Sequence, residues 1–287
     1  MADIVVGVDG SPGSRAALQW GFDEAELHGC GLRAVVGIGR GGAAHPEEAD
    51  GLAEKAAHLL HETVTATAPA GSSVSATEEV VDQPGAEALL TVGHDARMIV
   101  VGARGRGLLH RLRVGSVSTS VAVHSPAPAV IARDAGPAAP PGRPAQAVAV
   151  GVGVDGSPNS LAALVWAAAE ADRRGVTLIA VHAWLAAIPF PFAEAPGEII
   201  QALEEQAQAT LNDAIAEVRD ALPARLDLRR RVVPDSPVQA LLAAGRECDL
   251  VVVGARGHGG FAELLLGSVS HQCMIHSAAS VAIIRRR

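Results

Sequence analysis

The sequence predicts an α/β protein built from two tandem domains, each a parallel sheet flanked by helices. Short apolar, β-branched runs alternate with helix-length segments along the chain, the pattern of a parallel sheet covered on both faces. The pattern also occurs twice: Asp9-Gly10-Ser11-Pro12 returns as Asp155-Gly156-Ser157-Pro158, an offset of 146 residues that has grown to 152 by Gly102 and Gly254. Finally, 287 residues with 49% hydrophobic content can fill two cores of ordinary size.

The first copy opens with the strand Ile4 to Val8 and the helix Ser14 to His28, with Ala17, Leu18, Phe22, Ala25 and Leu27 near one face. Ser11 and its counterpart Ser157 are expected N-caps, each followed by a proline at a helix-opening position. A second strand runs from Leu32 to Ile38, a loop from Gly39 to Gly51, and a helix from about Glu47 to Ala66. Ser73 to Val81 reads as the third strand, Pro84 to Gly93 as the third helix and Met98 to Val101 as the fourth strand. A helix from Ser116 and a last strand from Ala129 to Ala132 complete the copy.

Asp134 to Ala147 holds too much proline for regular structure and reads as a linker over 135–147, between domains at 1–134 and 148–287. In the second copy the corresponding elements are Val148 to Val154, Ser160 to Arg174, Val176 to Trp184, Glu198 to Leu222, Leu226 to Val233, Pro237 to Gly245, Leu250 to Val253, a helix from Ser268, and Val281 to Ile284. Within Glu198 to Leu222 the stripe is Ile200, Leu203, Ala207, Leu211, Ala214 and Val218. Its loop, Ala186 to Gly197, is stiffened by three prolines and reads as a surface loop or a lid over a ligand.

Composition excludes several classes. A net charge of −8 disfavours a broad nucleic-acid surface. No stretch is long and apolar enough for a membrane span, and the N-terminus has no basic, signal-like start. Three widely spaced cysteines, Cys30, Cys248 and Cys273, read as buried free thiols in a reducing cytoplasm. Lys55 is the only lysine, so neither glycine-rich loop is a Walker A loop.

Those loops carry the chemistry. Gly102, Gly105, Gly115 and Ser116 recur at identical spacing as Gly254, Gly257, Gly267 and Ser268, while the residues between the second and third glycines differ wholly. Glycines three apart are expected to let backbone N–H groups converge as an anion nest, and the Gly-Ser pair adds a hydroxyl and a helix start. In parallel sheets ligands bind beyond the carboxyl ends of the strands, where strand order reverses. If the first and fourth strands flank that point, Asp9 faces Gly102 to Gly105, and Asp155 faces Gly254 to Gly257. A carboxylate there can accept from an adenine amino group or a ribose hydroxyl while the glycine loop holds phosphate.

The VDGSP starts (Val8 to Pro12, Val154 to Pro158), VVGARG (Val100 to Gly105, Val252 to Gly257) and GSVS (Gly115 to Ser118, Gly267 to Ser270) resemble the universal stress protein family, in both halves. The GxxGx9G(S/T) spacing is similar to that of its ATP-binding branch. The resemblance implies Rossmann-like domains of the adenine nucleotide alpha hydrolase-like type, each with five parallel strands in the order 3-2-1-4-5. It implies ATP, alone or with Mg, as the ligand of each crevice. Carried over by position, the ribose or adenine contact falls to Asp9 and Asp155, and the adenine-lining position to Gly37 and Ala183. Phosphate and ribose contacts fall to Gly102, Gly105, Gly115, Ser116, Val117 and Ser118, and to Gly254, Gly257, Gly267, Ser268, Val269 and Ser270.

Family dimers pair through their last strands, so the resemblance also implies internal pairing of Ala129 to Ala132 with Val281 to Ile284, or a homodimer. The second copy lacks proline before that strand, at Ser277 to Ser280, which is expected to loosen its edge. Arg104, Arg106, Arg256 and His258 can neutralise phosphate charge, but apart from Asp9 and Asp155 the two loops share no carboxylate for catalysis, since Glu263 in the second has Arg111 at the matching position of the first. His58 with His61, and His271 with His276, lack the further ligands of a metal site. The expected role is a nucleotide-responsive regulator of stress response or growth state with no assigned catalytic residue. A slow ATPase and an empty interaction scaffold stay open.

Overall fold

The run Ile4-Val5-Val6 is apolar on both faces, which suits a strand in the middle of a covered sheet. In the computed structural model it forms β1 (Ile4–Gly7), with all three residues fully shielded from solvent. The structure describes residues 2–39, 46–105, 114–133, 149–185, 197–258 and 265–286, and the chain forms two compact units. The linker expected over 135–147 lies outside the described residues, as does the loop over 186–196.

In the first unit β1 is followed by α1 (Pro12–His28), which starts where the sequence expects. The Ser14 N–H donates to Ser11 Oγ at 3.1 Å, and Gly29, at φ 60°, ends the helix in the left-handed region. Ala17, Leu18, Phe22 and Ala25 are buried, while Leu27 is only half-buried. There follow β2 (Leu32–Gly37), α2 (Pro46–Thr67), β3 (Ala76–Val81), α3 (Gly85–Val92), β4 (Met98–Gly102), α4 (Ser116–His124) and β5 (Ala129–Ala132). The order is β3-β2-β1-β4-β5, parallel throughout.

The second unit repeats this plan with β6 (Ala149–Gly153), α5 (Pro158–Arg174), β7 (Thr177–Ala183), α6 (Gly197–Glu217), β8 (Leu228–Val233), α7 (Pro237–Ala244), β9 (Leu250–Gly254), α8 (Ser268–His276) and β10 (Ser280–Ile284). Its order is β8-β7-β6-β9-β10, again parallel. Each unit thus has the 3-2-1-4-5 arrangement. Strand order reverses between β1 and β4, and between β6 and β9, which places the two glycine-rich loops beside the two DGS turns.

Several boundaries differ from the sequence reading. β3 and β8 begin at Ala76 and Leu228 rather than Ser73 and Leu226, because pairing starts only where Leu32 and Leu178 meet them. α6 stops at Glu217 and gives way to a 3-10 turn over Arg219–Ala221, so Val218 falls outside it. Its buried face begins at Ala207 and continues through Leu211 and Ala214; Ile200, on the same stripe, is 40% exposed. The missing proline before β10 does not shorten its ladder. Ser277 Oγ accepts the Ala279 N–H at 3.1 Å, as Ser125 Oγ accepts that of Ala127 at 3.2 Å, and β10 pairs with β9 from Ser280 to Ile284.

The three cysteines are free. Burial pushes the Cys248 and Cys273 thiols up to about 11 and about 12, so neither is a nucleophile at neutral pH, while Cys30 is half-buried. Among the described residues no helix is long and apolar enough to cross a membrane.

Candidate functional site

The site of the second unit is built on the turn that follows β6. Gly156 has φ +81°, a conformation that side chains rarely adopt, and it turns the Ser157 N–H back onto Asp155. Asp155 Oδ1 accepts that N–H at 2.9 Å. Its other oxygen, Oδ2, accepts the N–H of His258 at 3.1 Å, from far along the chain. One carboxylate therefore ties the DGS turn to the glycine-rich loop.

Burial alone would raise the pKa of Asp155. Hydrogen bonds from the Ser157 hydroxyl and N–H, the Ser160 hydroxyl and the His258 N–H outweigh it and hold the carboxyl below its ordinary value. A depressed folded-state pKa stabilises the fold above the unfolded carboxylate range, and that stability is lost as pH falls through the folded value. Asp155→Asn is expected to unfold more readily in urea by about 1–2 kcal/mol above about pH 5, with the gap closing below about pH 3. A gap of unchanged size at the acid end would show that the charge is not its source.

The glycines are required by close approach rather than by their own φ. Gly102, Gly105, Gly254 and Gly257 all lie outside the left-handed region, which corrects the expectation of a nest built on conformational freedom at those positions. A Cβ on Gly254 would come within 2.7 Å of the Asn159 backbone carbon, and one on Gly257 would overlap Asp155 Oδ2. In the first unit a Cβ on Gly102 would overlap the backbone of Gly13, and one on Gly105 would lie 2.6 Å from Asp9 Oδ2. Asp9 Oδ1 accepts the Ser11 N–H at 3.0 Å, and Gly10, at φ +75°, makes the turn.

Further hydrogen bonds lock each loop. Ser270 Oγ donates to the Gly254 carbonyl at 2.6 Å, and Ser118 Oγ to that of Gly102 at 2.7 Å. These serines are buried and their protons are committed to the strand ends, which leaves their oxygens only an accepting role toward other groups. The Gly267 N–H donates to the Ala255 carbonyl at 2.8 Å, and that of Gly115 to Ala103 at 3.0 Å. α8 and α4 start at Gly267 and Gly115 without a side-chain cap, whereas α1 and α5 are capped by serines. The uncapped first-turn amides favour an anion.

These elements surround a cavity of about 280 Å³ in the second unit. It brings together every residue assigned to this site from the sequence: Asp155, Ala183, Gly254, Gly257, Gly267, Ser268, Val269 and Ser270. Pro237 and Leu241 of α7, and His182, line it as well and were not foreseen. His182 immediately precedes Ala183 at the strand end, a position that could have signalled it; nothing local marks the two α7 residues. His182 Nδ1 lies 2.7 Å from the Val154 carbonyl, which can only accept, so this nitrogen carries a proton and donates it there.

The first unit places Asp9, Gly102, Gly105, Gly115, Ser116, Val117 and Ser118 at the matching positions, and residues 106–113, with Arg106, lie outside the described residues. Its strand-end residue differs. A Cβ on Gly37 would be 2.6 Å from both the Gln83 carbonyl oxygen and Gly85 Cα, so the backbone before α3 takes the space that the Ala183 methyl occupies in the second unit.

The sequence model of the universal stress protein family matches residues 1–133 and again 149–285. A universal stress protein of Mycobacterium tuberculosis is 34% identical over 99% of this chain and 97% of its own length. One of Mycolicibacterium smegmatis is 33% identical over 99% and 97%. Among solved structures, a universal stress protein from Archaeoglobus fulgidus superposes with a TM-score of 0.69 at 18% identity, covering 99% of this chain and 98% of that one, a likeness of fold. The two family matches, the full-length relatives and the doubled 3-2-1-4-5 sheet agree, and the chain belongs to the universal stress protein family.

Proposed function

We propose that this protein is an ATP-binding regulator of stress response or growth state, with one nucleotide site in each domain. The observation that carries the reading is the cavity at the carboxyl ends of β6 and β9. It joins a carboxylate, a glycine loop and an uncapped helix start within one crevice. In the second unit the base lies toward Ala183 and Pro237, the ribose toward Asp155, and the phosphates along Gly254 to Gly257 and the first turn of α8. The first unit uses Asp9, Gly37, Gly102, Gly105 and the start of α4 in the same way. Mg, where present, is held through the phosphates.

Binding is favoured over turnover. Asp155 is the one carboxylate among the described residues that line the cavity. Both of its oxygens already accept backbone N–H groups and its pKa is depressed, which makes it a poor general base. Bound nucleotide then acts by changing the surface or assembly of the protein, and hydrolysis is slow at most.

The test is to denature the purified chain and identify and count the nucleotide it releases. ATP released at one molecule per domain supports the reading in full. Release from a single unit would confine it to that unit. An empty protein that also fails to bind ATP on titration would overturn it and leave an interaction scaffold.

A further inference from the structure

The strand that ends each sheet beyond β2 or β7 carries charge of one sign, and the two signs are opposite. β3 reads Ala-Thr-Glu-Glu-Val-Val and β8 reads Leu-Arg-Arg-Arg-Val-Val, and they hold equivalent places in the two units. Glu78 corresponds to Arg230, and Glu79 to Arg231, at the offset of 152 residues. β3 pairs along one side with β2, and β8 along one side with β7. Among the described residues no strand covers their other sides, where backbone N–H and C=O groups form a template for one more strand.

Part of this charge is already matched within each unit. Glu79 accepts two bonds from Arg33, at 2.6 and 3.0 Å, and Arg231 donates two to Glu247, at 3.0 and 2.8 Å. Arg229 reaches Asp227 only at 3.4 Å, and Glu78 lies 3.2 Å from Nδ1 of the exposed His61. Arg230 is exposed and makes no hydrogen bond or ion pair among the described residues. A charged edge keeps a strand from pairing with its own kind. That holds here twice, since β8 on β8 sets arginine beside arginine and β3 on β3 sets glutamate beside glutamate. β3 on β8 is the combination that attracts. In an antiparallel pair with Glu78 opposite Arg230, Glu79 falls opposite Arg229, and the residues of each pair share a face.

We propose that β3 of one copy pairs edge to edge with β8 of a second copy of this chain. Each chain carries one edge of each sign, so the contact is heterologous and repeats, adding copies head to tail into a ring or a filament. The contact is narrow and rests on backbone bonds and exposed ion pairs. Assembly is therefore weak, needs chain at about 100 µM and dissolves in salt. The proposal is independent of the nucleotide reading.

Sedimentation velocity on the full chain is expected to show mass rising with concentration at about 20 mM salt, and a constant, smaller species at about 500 mM. Amide hydrogen exchange at low salt should slow over residues 76–81 and 228–233 together. Glu78→Arg and Arg230→Glu are each expected to weaken assembly about tenfold while matching the parent at high salt. The double variant Glu78→Arg/Arg230→Glu exchanges the charges and should recover assembly. A one-to-one mixture of the single variants should recover it too, because each keeps the edge that the other has lost. A mass that salt does not change overturns the proposal, as does assembly that neither single variant weakens or that the exchanged charges fail to restore. Assembly without slowed exchange at both strands places the contact elsewhere and also ends it.

Discussion

Replacing Gly254 with alanine is expected to cost the second unit about 2–4 kcal/mol, enough to leave it largely unfolded in mild urea. A Cβ there would lie 2.7 Å from the Asn159 backbone carbon and 2.9 Å from its carbonyl oxygen, in the first turn of α5. Backbone inside a helix cannot step aside without breaking the Ser157 cap or the packing beneath it. Gly102→Ala meets the Gly13 backbone in the first unit and should behave alike. The comparison is Gly175→Ala, which has φ +65° but no atom within 4 Å of its added Cβ; conformational strain alone should cost it about 1 kcal/mol. Urea unfolding of these variants measures the difference. Equal losses would mean that the close approach of the DGS turn and the glycine loop is not what demands glycine.

Gly257→Ala should separate stability from binding. Its Cβ would overlap Asp155 Oδ2, the free end of a side chain rather than backbone, so the carboxylate can swing away and give up the His258 N–H. The stability loss is accordingly about 1 kcal/mol, one charged hydrogen bond in a half-exposed place. Nucleotide affinity at that site is expected to fall about tenfold or more, because the carboxylate proposed to face the ribose has been displaced. Gly105→Ala, facing Asp9 Oδ2 at 2.6 Å, repeats the test in the first unit. Calorimetry on a variant that folds and binds as the parent does would remove Asp155 and Asp9 from the site.

Much of this protein is written locally. The alternation of apolar runs and helical segments, the serine caps at Ser11 and Ser157 and the doubled glycine spacing each depend on a few neighbouring residues. They are therefore legible without coordinates. Legibility failed where a partner decides the outcome. β3 and β8 begin where β2 and β7 can pair with them, and the exposed Ile200 belongs to the α6 stripe but not to its packed face.

The sequence by itself determined two α/β copies, the place of each loop and the residue types gathered at each site, because periodicity, capping and spacing are short-range properties. Only the tertiary structure decided why those glycines are glycines, that Asp155 latches onto the loop at His258, and that α7 supplies part of the cavity wall. Each of these depends on groups distant in the chain brought within a few ångströms, and no local pattern encodes such a distance.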